Sequence, residues 1–67
     1  MADYEVLAVE CKPRPDCSKV ARGAAGRIAI VGEAITDPAE LAALGVSPGE
    51  GAVQITEALY RAGHDSL

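Results

Sequence analysis

The chain contains no tryptophan and no phenylalanine, and its aromatics are two tyrosines. A core must therefore be built from aliphatic side chains. Val, Ile and Leu together supply 15 of the 67 residues, just above the level at which disorder becomes the better expectation. A domain of this size hides only about 60% of the surface its unfolded chain exposes. So thin a core calls for a staple or a second subunit, and a homodimer is expected. No window approaches the ~20 apolar residues of a membrane span. The first residues, Met-Ala-Asp-Tyr-Glu, lack the basic and then apolar pattern of a signal peptide, which makes the cytoplasm the expected location. There is a single histidine, His64. It has no nucleophile in a recognisable motif, and no GxxxxGK or GxGxxG pattern is present. The expectation is a protein that is not an enzyme and carries no cofactor and no metal. No internal repeat or low-complexity segment interrupts a single small domain over residues 1–67.

Against these absences stands Ile35 to Ile55, the stretch around which the rest of the chain is expected to organise. Asp37 is a good helix N-cap, Pro38 suits the first helical position, and Glu40 can reach back to the Asp37 amide. Leu41 and Leu44 share one face. Gly45 fits the left-handed residue after the helix, with Val46 touching Leu41. Ser47-Pro48-Gly49-Glu50 is a type II turn, since proline sets φ at its second position and glycine accepts positive φ at its third. A short strand, Ala52 to Ile55, follows. A helix of two turns does not hold alone, so this stretch is expected to lie over a sheet made by the first half.

That sheet is expected from Tyr4 to Val9, Cys17 to Arg22, and Arg27 to Val31. In the first strand Glu5, Leu7 and Val9 line one face and Val6 and Ala8 the other. The two prolines of Lys12-Pro13-Arg14-Pro15-Asp16 end it in a stiff surface loop. Gly23-Ala24-Ala25-Gly26 forms a hairpin loop between the second and third strands. Gly32 ends the third strand or marks a bulge. Thr56 caps a last helix, Glu57 to Ala62, that stops at Gly63 and turns Leu59 and Ala62 to the core, with Tyr60 at its edge and a frayed end from His64. The fold class is α+β: a small antiparallel β-sheet of three to four short strands with two short helices.

Charge is unevenly spread. Residues 1–31 carry a net +1 and residues 32–67 a net −5, for −4 overall. This argues against a generic nucleic-acid binder and fits a solvated surface whose acids cap helices. The candidate contact residues for nucleic acid or a protein partner are Lys19, Arg22 and Arg27 around the hairpin, with Arg14 in the proline loop. If Arg22 and Arg27 pair across the strands, their side chains gather at one tip that can engage phosphates or an acidic protein face. Such residues equally serve as edge charges against aggregation. Cys11 and Cys17 end the proline loop and admit three readings. They are free thiols, the default in a cytosolic chain; or a disulfide stapling a thin core; or half of a zinc site, for which two more ligands are needed.

Two resemblances go further. Ile35-Thr36-Asp37-Pro38-Ala39-Glu40-Leu41 and Leu44-Gly45-Val46-Ser47-Pro48-Gly49-Glu50 resemble the swapped-hairpin AbrB/MazE-type DNA-binding domain. That family runs strand, Val-Thr-x-Pro-x-Glu-Leu, Leu-Gly-Ile-x-Pro-Gly-Asp, strand. Asp37 and Ala39 stand where its basic residues lie, and a helix follows here in place of a further strand. Cys17-Ser-Lys-Val-Ala-Arg-Gly-Ala-Ala-Gly-Arg-Ile-Ala-Ile is similar to small domain-of-unknown-function proteins encoded beside helix-turn-helix regulators in high-GC bacteria. Val31-Gly32-Glu33 replaces their Arg-Asp-Ser. Together the resemblances imply a small bacterial protein of transcription regulation, antitoxin-like, acting on DNA or on a partner regulator. The other function to weigh is an adaptor whose acidic second half binds a basic protein. No membrane contact is expected.

Overall fold

A computed structural model describes residues 3–12 and 17–67. Strands β1 (Glu5–Cys11), β2 (Cys17–Arg22) and β3 (Ile28–Val31) form an antiparallel sheet in that order. Helix α1 (Pro38–Leu44) lies between β4 (Glu33–Ala34) and β5 (Val53–Gln54), which pair with each other as a second, two-stranded sheet. Helix α2 (Glu57–Asp65) packs on β1 and β2. The class is α+β, as expected, and among the described residues the strands form a three-stranded and a two-stranded sheet rather than a single sheet of three to four.

β1 holds a feature that simple alternation misses. Its pairing runs Val6 with Ala21 and then Ala8 with Val20, so Leu7 is an extra residue in the strand. The bulge shifts the phase of everything before it. Val6 and Val9 consequently lie on one face with Ala21 and Lys19, while Ala8 and Glu10 lie on the other with Val20 and Ser18. The expected grouping of Glu5, Leu7 and Val9 on one face is corrected by this one residue.

The α2-facing side of the sheet contains Val20. A Cβ built on Gly63 would come within 2.9 Å of Val20 Cβ and Cγ1, so the absence of a side chain lets helix and strand approach closely. Gly63 is therefore not the stop expected for α2. The helix continues through it to Asp65, and Gly63 is buried while Ala62 faces solvent. Leu59, expected in the core, is only 2% exposed; with Val20 and Ala21 it makes up the buried apolar set among the described residues.

None of that set comes from Ile35 to Ile55, although the local structure there follows its residues closely. Asp37 accepts the Glu40 amide at 3.3 Å. Gly45 adopts φ 74, ψ 37, and the Val46 amide donates to the Leu41 carbonyl at 3.1 Å, the long bond of a Schellman ending. The Glu50 amide donates to Ser47 O, and Gly49 has φ 86, as a type II turn requires. The Glu50 carboxylate adds a bond from the Ser47 amide at 3.0 Å. Yet α1 has no buried residue. The stretch does not organise the rest of the chain. It closes on itself through β4 and β5, and the core is built by the first three strands and the last helix.

Candidate functional site

The cationic tip expected at the hairpin is not assembled as a cross-strand pair. Arg22 pairs with Ile28, not with Arg27. The reason is the loop. Ala24–Gly26 forms one turn of 3-10 helix in which Ala25 sits at φ 58, ψ 34 and Gly26 at φ 75. The Gly23 amide donates to the Arg27 carbonyl at 2.8 Å, so Arg27 belongs to the loop and β3 begins one residue later. The Arg22 guanidinium donates to Ser66 O at 3.3 Å, turned toward the end of α2. Lys19 pairs with Val9 and Val31 on the opposite face from Arg22. The candidates thus point to different surfaces: Arg22 toward α2, Lys19 to the far face of the sheet, and Arg27 into solvent. Arg14 lies outside the described residues, as does most of the proline loop.

Cys11 and Cys17 face each other in the β1–β2 register, with Cα atoms 4.0 Å apart, and are joined by a disulfide. Neither is a free thiol. Of the three readings of this pair, the geometry is that of the staple, which closes the hairpin end of the sheet. With both sulfurs bonded to each other, neither is available as a thiolate to zinc.

A shallow cleft of about 180 Å³ lies between the two sheets, lined by Glu10, Lys12, Ser18, Glu33, Gln54 and Thr56 among others. Both Glu10 carboxylate oxygens lie 2.9 Å from Thr56 Oγ1. The same hydroxyl accepts the Leu59 amide at 3.1 Å. Thr56 therefore caps α2 and ties it to β1 at once. Its proton is held by a carboxylate and its oxygen is engaged by an amide, an arrangement that anchors a helix rather than activates a nucleophile. The Thr56 cap is legible in the sequence, whereas Glu10, 46 residues away, has no local signal that points to it. Lys12 Nζ reaches Glu33 at 4.0 Å, both being well exposed, a pairing of small energetic weight. His64 lies in the last turn of α2, exposed, with Nδ1 3.6 Å from Asp65. Among the described residues no three His, Cys, Asp or Glu side chains converge as metal ligands. No helix there is long and apolar enough to cross a membrane.

The feature with the clearest chemical character is the acidic lobe. From Gly32 to Tyr60 the chain carries Glu33, Asp37, Glu40, Glu50 and Glu57 and neither lysine nor arginine. All five carboxylate residues are exposed; four belong to the β4–α1–β5 lobe, and Glu57, at the start of α2, lies 3.3 Å from the Arg61 guanidinium. Comparison with protein-family models, with curated proteins and with solved structures found no match.

Proposed function

We propose that this is a small non-catalytic regulatory protein, acting in transcriptional control by binding a basic partner regulator through the β4–α1–β5 lobe. The observation that carries the reading is the lobe's four exposed carboxylates, Glu33, Asp37, Glu40 and Glu50, with no lysine or arginine between Gly32 and Tyr60; of these Glu33 lies 4.0 Å from Lys12, at the first sheet's edge. Such a predominantly acidic surface speeds encounter with a partner of opposite sign and rejects partners of its own sign, DNA included. The dispersal of Lys19, Arg22 and Arg27 over different surfaces supports a protein partner over DNA. The likeness of the central stretch to AbrB/MazE-type domains, and of residues 17–30 to proteins encoded beside regulators, supports the regulatory setting. An antitoxin-like companion is the form this role takes.

The test is a pair of titrations over a range of salt, one with duplex DNA and one with any helix-turn-helix regulator found encoded beside the gene. We expect the regulator to bind with an affinity that falls as salt rises. Glu40→Lys and Glu50→Lys should each weaken it at low salt, and DNA should not bind. DNA binding whose salt slope flattens in Arg22→Ala and Arg27→Ala would overturn the acidic-lobe reading in favour of phosphate contact. The cytoplasm is the compartment that goes with this role, and reducing cytosol opens most protein disulfides. A thiol count on acid-quenched cells should then find Cys11 and Cys17 reduced in part. A fully bonded pair would instead place the protein in an oxidising compartment.

A further inference from the structure

The three-stranded sheet is covered on one face only. Helix α2 lies against the side of Val20, with Gly63 pressed onto that residue. The other face carries Val6, Val9 and Val31, which are 55%, 57% and 51% exposed. Between them lie Ala21, buried beneath its neighbours, and half-buried Ala29. Among the described residues of the three strands no carboxylate lies on this face and the charged group is Lys19, placed by its register with Val9 and Val31. Sheets in stable domains are buried by a second layer on any apolar face, because a row of exposed valines costs about 25 cal/mol per Å² left in water.

The exposed area of the whole chain, to which the lobe with no buried side chain also contributes, leaves room for a partner. A folded monomer of 6.9 kDa should expose about 4,000 Å². This chain exposes 5309 Å², an excess of about 1,300 Å² over that scaling. A stable association of ordinary size removes about 800 Å² from each partner, which the excess readily accommodates.

We propose that a second copy of this chain packs on the open face of the sheet, with the two sheets stacked face to face about a two-fold axis. The surface suits itself. Its valines stand on the outer strands and its alanines form a trough on β2 and β3, so valines of one copy enter the trough of the other, as an isologous contact requires. Two sheets about 10 Å apart bury such faces between them. The acids of the three described strands, Glu5 and Glu10, lie on the other face, and those of the lobe sit away from the sheet, so like-charge repulsion is weak along this approach. Lys19 lays its aliphatic stem along the contact and carries its ammonium to the rim. The result is a four-layer assembly, helix–sheet–sheet–helix, with the acidic lobes outside it. This inference does not depend on the acidic-lobe reading.

Sedimentation equilibrium of the full oxidised chain, over a hundredfold range of concentration, tests it. The expected mass is twice the 6.9 kDa of one chain, dissociating on dilution. Val9→Asp and Val31→Asp, on the sheet face away from α2, should each raise the dissociation constant at least a hundredfold while the circular dichroism is kept. Leu44→Asp and Tyr60→Asp alter apolar side chains that are equally exposed but lie on the helices, and should leave the mass unchanged. A monomer at every concentration overturns the proposal. So does a dimer that survives both valine changes, or one that Leu44→Asp or Tyr60→Asp disrupts.

Discussion

Val20, Ala21 and Leu59 are buried within the unit made by β1–β3 and α2, whereas no described side chain between Gly32 and Thr56 is. The β4–α1–β5 lobe has instead a dense set of short-range bonds: the Asp37 cap, the Val46 to Leu41 closure, and the Ser47–Glu50 turn with its side-chain bond. One region is held by removing apolar surface from water, the other by satisfying backbone groups near in sequence. Net hydrogen-bond gains are about 1 kcal/mol each in favourable cases, and exposed ones compete with water. The lobe should therefore open at lower free energy than the sheet–helix unit.

The largest test of that contrast is Leu59→Ala. Loss of a side chain only 2% exposed should cost about 3 kcal/mol, much of the about 3–10 kcal/mol open to a chain of this length. The denaturation midpoint should fall for the whole molecule. A small shift there would mean that the core lies elsewhere. Gly63→Ala should come next. Its new Cβ meets three Val20 atoms at 2.9 to 3.1 Å, and prying α2 off β2 should cost about 1–3 kcal/mol. That exceeds the roughly 1 kcal/mol alanine gains in a helix. A stabilised variant would show that the helix can slide without loss.

Gly45→Ala sharpens the same contrast from the other side. Alanine at φ 74 should cost about 1–2 kcal/mol, and the cost should fall on the lobe alone. Hydrogen exchange should speed up at the Gly45 and Val46 amides, while the Leu59 amide and the global midpoint hold. Equal acceleration in both places would show that the two regions open together.

How well each region could be read in advance runs opposite to how deeply it is buried. Asp37, Pro38, Gly45 and Gly49 each state a local conformation through chemistry confined to a few neighbours, and every one of them is where those residues predicted. The second strand, Cys17–Arg22, also has its predicted bounds. The misreadings concern contacts between distant residues. Gly63 looked like a helix stop because that is the usual local meaning of glycine there; its actual role depends on Val20, which no nearby residue announces. The Leu7 bulge escaped for the same reason, since it exists only in relation to the pairing strand. A four-residue loop would set Arg22 opposite Arg27; with Ala25 left-handed and Arg27 taken into the loop, Ile28 stands there instead. As for the site, the charge asymmetry could be read from composition, but the scattering of the cations required the register.

The extra residue in β1 also governs which changes of length the chain can absorb. Deleting Leu7 would leave Val6 opposite Ala21 and Ala8 opposite Val20, with every remaining side chain on its present face. Deleting Val9 would turn one end of the strand over and put Ala8 or Glu10 where a valine now stands. Shortening by one is thus tolerable at a single place in this strand, and relatives with a gap there should keep the same two-faced surface.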